Sequence, residues 1–240
     1  MSDQIEVEFD VPATMRDGTV LRANIFRPRD GGPHPVALSR TPYGKDFASA
    51  HPFGDAVRLA RAGYIVVLQD VRGRFRSAGL WRPFQNEERD GYDSVEWAAR
   101  LPGANGKVGM FGLSYLGFTQ WMAAKAAPPA LKAIVPGLTW ADMHDGITWR
   151  GGALELGTQA HWYLTASAFD IILKRTRDAA PEQQARELGA LVYEIDRLRT
   201  DGVFSLPLKD FAPLKRLGLT AELEETIANV GNPDYQAALS

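Results

Sequence analysis

Apolar and polar positions alternate with a period of two over residues 5–9 and 20–26. The second segment places Val20, Arg22, Asn24 and Phe26 on one face and Leu21, Ala23 and Ile25 on the other. Both read as strands, and Asp17-Gly18 between them is a hairpin-type turn signal. Asp30-Gly31-Gly32-Pro33 is a loop by composition, and residues 35–39 form a short apolar strand. Residues 53–62 set Phe53, Val57 and Ala60 on one helical face, with Gly63 as the closing C′ glycine. Residues 64–69 are a continuous run rich in β-branched residues, the mark of a strand buried on both faces. A helix over 88–100 follows, with Val95 and Ala98 at core spacing. Then come a strand over 107–111, a helix over 115–127 stopped by Pro128-Pro129, and a strand over 131–135. This βαβαβ order with short loops predicts an α/β fold, a mostly parallel sheet flanked by helices.

The pattern changes near residue 139. Beyond it helical signals dominate and strand signals are few. Over residues 181–199, Leu188, Leu191, Val192, Ile195 and Leu198 fall on one helical stripe, Pro181 suits the first turn and Asp201-Gly202 stops the helix. A shorter acidic helix is predicted over 221–229. The expected organisation is a sheet-bearing part, residues 1–139, and a helical unit, residues 140–240.

Composition narrows the chemistry. A chain of 240 residues is long enough to bury a full core. Its 27 basic and 29 acidic residues leave a net charge of −2, without the basic surplus of a nucleic-acid binder. There is no cysteine, which excludes disulfides, zinc–thiolate sites, iron–sulfur clusters and a cysteine nucleophile. No metal or cofactor is expected. The glycines and Lys107 within residues 103–109 lack phosphate-loop spacing, and no G-x-G-x-x-G follows the early strands. The acidic start has no apolar signal region, and no apolar run approaches the roughly 20 residues of a membrane span. The expectation is a cytoplasmic protein without a membrane partner.

The chemistry centres on Gly112-Leu113-Ser114-Tyr115-Leu116-Gly117, which fits G-x-S-x-G. A buried strand precedes it and a helix follows, the setting a nucleophile elbow requires. A sharp turn there strains Ser114 and lifts its Oγ to the carboxyl edge of the sheet. Glycines at 112 and 117 leave room for neighbouring backbone. The N–H of Tyr115, at a helix N-terminus, points to where an oxyanion would form.

This segment resembles the elbow of the cocaine esterase-like hydrolases of the X-prolyl dipeptidyl aminopeptidase superfamily (CocE/NonD type). Further stretches carry the resemblance: Arg40-Thr41-Pro42-Tyr43-Gly44-Lys45, Gln69-Asp70-Val71-Arg72-Gly73-Arg74, Asp90-Gly91-Tyr92-Asp93 with Trp97, Asn105-Gly106-Lys107-Val108-Gly109, and Gly151-Gly152-Ala153. The resemblance implies an α/β-hydrolase fold with a helical cap, acting on a small-molecule ester or amide. It also implies that Tyr43 donates its phenolic O–H to the oxyanion and that Tyr115 donates its backbone N–H. Arg72 and Arg74 read as ion-paired loop supports rather than catalytic groups.

A serine hydroxyl needs a base and the base an orienting carboxylate, in the chain order Ser, Asp or Glu, His. The resembled family places both after the cap. Here Asn232-Pro233-Asp234-Tyr235 looks like the cap's exit. His34 and His51 precede the elbow in loop contexts. His144, in Asp142-Met143-His144-Asp145, is a weak pocket candidate, and His161 reads as a packed cap histidine. None completes a triad. The chain is therefore expected to be a fragment of a longer hydrolase, or a short form served by a C-terminal partner segment carrying Asp and His. The alternative is a catalytically incomplete half-hydrolase acting as a binding or assembly module. Trp140, Trp149, Trp162 and Tyr163 either line an acyl pocket or pack the cap. Asp142, Asp145 and Glu155 are candidates for holding a substrate ammonium group. An esterase ranks above a peptidase.

Overall fold

The computed structural model describes residues 5–47, 54–142, 146–151, 153–205 and 211–219. The chain divides into two compact units, Met1–Ala141 and Asp142–Ser240. The expected helix over 221–229 and the segment 232–235 lie outside the described residues, as do His51, His144, Asp145 and Gly152.

The first unit is a six-stranded sheet with helices on both faces. Its elements are β1 (Ile5–Thr14), β2 (Val20–Pro28), β3 (His34–Thr41), α1 (Ala56–Arg61), β4 (Ile65–Asp70), α2 (Glu87–Ala98), β5 (Ala104–Leu113), α3 (Tyr115–Ala126) and β6 (Leu131–Gly137). The strand order is β1-β2-β4-β3-β5-β6. β1 and β2 form the hairpin predicted by Asp17-Gly18, and β2 meets β4 antiparallel. The β4, β3, β5 and β6 ladders are all parallel.

The period of two decides what each strand feeds. β4 is buried along its whole length. Its Ile65 and Val67 face one core with Val36, Leu38, Val95, Ala98, Met110 and Ala123, which brings in α2 and α3. Its Val66 and Leu68 face the other side, where Ala56 and Ala60 of α1 pack. Asp55 caps α1, its Oδ1 accepting the Arg58 N–H at 3.0 Å, and Gly63 closes it at φ 91°. α3 ends at Ala127 in the left-handed region, just before the two prolines.

The second unit is mostly helical. A two-residue ladder, β7 (Trp149–Arg150) with β8 (Ala153–Leu154), precedes α4 (Leu156–Trp162). A π-helical turn, Tyr163–Ser167, joins α4 to α5 (Ala168–Arg175). Then follow α6 (Pro181–Arg197), a 3-10 turn (Gly202–Phe204) and α7 (Ala212–Arg216). Ala160, Tyr163, Leu164, Ile172, Leu191, Leu198 and Leu214 make its core. The α6 stripe differs from expectation at one position: Val192 is 66% exposed. Glu194 turns inward instead, its carboxylate accepting Nε and Nη2 of Arg216 at 2.5 and 2.6 Å, so an ion pair occupies space a purely apolar stripe would fill. Among the described residues no helix is long and apolar enough to cross a membrane.

Candidate active site

Strand order brings the candidate residues together. β3 and β5 are neighbours and run parallel, so the turn after Thr41 and the turn after Leu113 emerge side by side at the carboxyl edge. Ligand sites in such sheets form outside these strand ends. Tyr43 is on the first turn and Ser114 on the second.

Ser114 stands between β5 and α3 at φ 55°, ψ −122°, a conformation that L residues rarely adopt. Several contacts over-determine it. Its N–H donates to Gly137 O at 2.9 Å. Its carbonyl accepts the N–H groups of Gly117 and Phe118 at 2.9 and 3.0 Å and the hydroxyl of Thr139 at 2.8 Å. The glycines are needed as the motif implies. A Cβ on Gly117 would sit 2.6 Å from Thr139 Cβ. One on Gly112, at φ 141°, would sit 2.5 Å from Leu116 Cβ. The turn exists because both are absent.

The Tyr43 turn is held from three sides. The Tyr43 N–H donates to Thr41 Oγ1 at 3.1 Å, and Arg74 Nε donates to Pro42 O at 2.8 Å. The Lys45 N–H donates to Asp70 Oδ1 at 2.7 Å. Burial pushes the Asp70 carboxyl up to about 6, with the Lys45 N–H and ammonium opposing. Lys45 is itself buried, its ammonium 2.7 Å from Asp10 and 3.0 Å from Asp46.

Tyr115 is buried at the first turn of α3. Its ring stacks on Phe84 at 4.8 Å and meets the Tyr43 ring edge-on at 6.5 Å. Its O–H donates to Glu87 Oε1 at 2.8 Å and accepts from the Phe84 N–H at 2.9 Å. Burial, and then the Glu87 carboxylate, raise this phenol well above its ordinary value and keep it neutral. Phe118 and Trp140 stack beside it at 5.9 Å, so Trp140 packs on α3 in the first unit.

The arginines behave as loop supports. Arg72 pairs bidentately with Asp90 at 2.6 and 2.8 Å and reaches Asp17 at 2.8 Å. Arg74 is buried, between the Phe75 and Trp81 rings at 5.1 and 5.0 Å.

Other sequence candidates fall elsewhere. His34 heads β3 rather than a loop, its ring nitrogens 2.7 Å from Asp30 Oδ1 and 3.0 Å from Gly63 O. It is the length of the strand, roughly 23 Å, away from the carboxyl edge. His161 is exposed on α4, against expectation, because the helical period turns Ala160, Tyr163 and Leu164 inward and His161 out. Tyr163 is core and Trp162 packs against it. Trp149 is buried, Glu155 pairs with Arg150 at 3.2 Å, and Asp142 is exposed. Sequence reading passed over Glu87 and the buried role of Arg40. The available signal was a charged side chain closing an apolar strand, Val36-Ala37-Leu38-Ser39-Arg40.

A strained serine between a parallel strand and a helix, on a sheet flanked by helices, defines an α/β-hydrolase. Residues 17–210 match the X-Pro dipeptidyl-peptidase (S15) family, and the chain belongs to that family. It is 38% identical over 195 residues to the cocaine esterase of a Rhodococcus species, covering 79% of this chain and 33% of the relative. A CocE/NonD family hydrolase from Staphylococcus aureus superposes with a TM-score of 0.61 at 34% identity, covering 66% of this chain and 32% of that one. An α-amino-acid ester hydrolase superposes at 0.58 with 30% identity, covering 69% and 30%. The chain thus spans about a third of the length of each of these proteins.

Proposed function

We propose that the chain supplies the nucleophile and oxyanion donors of a serine hydrolase of the acyl-transfer type. The observation that carries this is Ser114 itself, a non-glycine residue held at φ 55° between β5 and α3. Ser114 Oγ attacks an ester carbonyl. The Tyr43 O–H and the Tyr115 N–H stabilise the oxyanion, each worth about 3–4 kcal/mol. Collapse of the adduct breaks the ester C–O bond and expels the alcohol, which receives by way of the general base the proton lost from Ser114 Oγ; water then hydrolyses the acyl-enzyme to the acid and free serine. The general base and its carboxylate are assigned to polypeptide outside these 240 residues. Of the described histidines, His34 is tied at the other end of the sheet. The helical unit is read as the cap.

Esters rank above X-Pro peptides as substrates. The name of the Rhodococcus relative supports this. The second reading, a binding or assembly module, draws on the placement of His34. A fluorophosphonate probe distinguishes the readings. Full-length protein is expected to be labelled at Ser114, to lose labelling in Ser114→Ala, and to cleave a p-nitrophenyl ester faster than an X-Pro anilide. Labelling at another residue, or none, overturns the assignment.

A further inference from the structure

Beneath the elbow runs a buried polar chain that the acyl-transfer chemistry does not itself use. Glu87, the first residue of α2, is 2% exposed, and Arg40 of β3 is fully buried. One Glu87 oxygen accepts the Tyr115 O–H at 2.8 Å. The other accepts Arg40 Nη1 at 2.8 Å. Arg40 Nε continues to Gln69 Oε1 at 3.0 Å, which also accepts the Ser94 hydroxyl at 2.8 Å. Desolvating such a carboxylate and guanidinium is costly, and a buried pair of this kind is weak evidence for stability alone. What it adds is direction. Arg40 lies three residues before Tyr43 on the same strand and turn, and Tyr115 carries the N–H that follows Ser114. Glu87 binds both segments from below with its two oxygens.

We propose that Glu87 is a positioning residue: by holding Arg40 and the Tyr115 phenol together, it sets the Tyr43 O–H and the Tyr115 N–H at the spacing an oxyanion needs. This rests on the acyl-transfer reading of Ser114. Two variants cut the chain gently. Tyr115→Phe removes one oxygen and leaves the ring packing and the backbone N–H in place. Glu87→Gln keeps the shape and turns one acceptor into a donor facing a donor.

The test uses the full-length protein, p-nitrophenyl ester kinetics, a boronic acid that adds to the serine as a tetrahedral anion, and thermal melting. Both variants are expected to lower kcat roughly 10- to 100-fold with KM within about twofold. Boronate affinity should fall by the same factor as kcat/KM, and the double variant should be no slower than the slower single one, since both cut the same chain. A merely structural role would lower the melting temperature and leave kcat and boronate affinity of Tyr115→Phe unchanged, and that result overturns the proposal. If Glu87→Gln does not fold, Tyr115→Phe decides alone. Fluorophosphonate labelling of the wild type separates the two failures. No labelling removes the acyl-transfer reading, whereas labelling with unchanged Tyr115→Phe kinetics removes only the positioning role.

Discussion

Ser114 occupies backbone space that costs about 1–3 kcal/mol for a residue with a side chain. Phe84 and Leu138, at φ 72° and 43°, carry strain in the same neighbourhood. The tight contacts around Gly112 and Gly117 hold the strain in place, and what it secures is a half-buried serine at a helix N-terminus. In the proposed reaction Tyr43 is the complementary residue, since a neutral phenol is a proton-keeping donor at pH 7. Tyr43→Phe is expected to reduce kcat of the full-length protein by roughly 100- to 1,000-fold, with KM nearly unchanged, because the lost hydrogen bond strengthens only in the transition state. Steady-state kinetics on a p-nitrophenyl ester measure it, and an unaltered kcat removes Tyr43 from the oxyanion site. These residues were legible because each sits in a short contiguous motif. Glu87 was not. Its partners Arg40 and Tyr115 are 47 and 28 residues away, and only the sheet brings them together.

At the scale of elements, the parallel strands act as a rack whose carboxyl ends carry the candidate residues Tyr43 and Ser114. Asp70 ends β4 and reaches across to the backbone of the turn after β3, so one carboxyl links two strand ends. Its folded value of about 6 lies above its unfolded 3.8. The fold therefore binds this proton more tightly than the unfolded chain does. The associated stability is full below about pH 4 and is lost as pH rises through 6, at up to about 1.4 kcal/mol per pH unit. Asp70→Asn removes that dependence. The stability difference, wild type minus variant, is expected to shrink between pH 4 and 7 in urea titrations, and a difference that stays constant refutes it. Strands and helices of the first unit were readable from hydrophobic period, since β4 and α3 are buried enough to leave uniform runs. The order β2-β4-β3-β5 was not, because no local pattern states which strands pair. His161 and Val192 mark the same limit: periodicity names a stripe, and its borders are decided by what packs against it.

For the molecule as a whole, each unit builds its own core, and β6 is the outermost strand of the sheet among the described residues. Among the described residues β6 pairs with β5 alone, and its Val135 N–H is taken by the Gln120 side chain at 2.8 Å. Val135 is 67% exposed and Leu138, just beyond the strand, is 86% exposed. Burying one such side chain yields about 1.5–3 kcal/mol. A net charge of −2 offers little repulsion against association. Expressed as these 240 residues alone, the chain is therefore expected to self-associate through the exposed apolar side chains of Val135 and Leu138 on this edge. Sedimentation velocity should give a mean mass above the 26.4 kDa monomer that rises with concentration. Val135→Lys places a charge on that edge and should return the chain toward monomer, with weaker binding of an apolar dye such as ANS. A wild-type chain that stays monomeric at high concentration and ignores the dye would mean that this edge is covered. The longer proteins it resembles, more than twice its length, provide the control: a chain carrying their additional segments should show neither the association nor the effect of Val135→Lys.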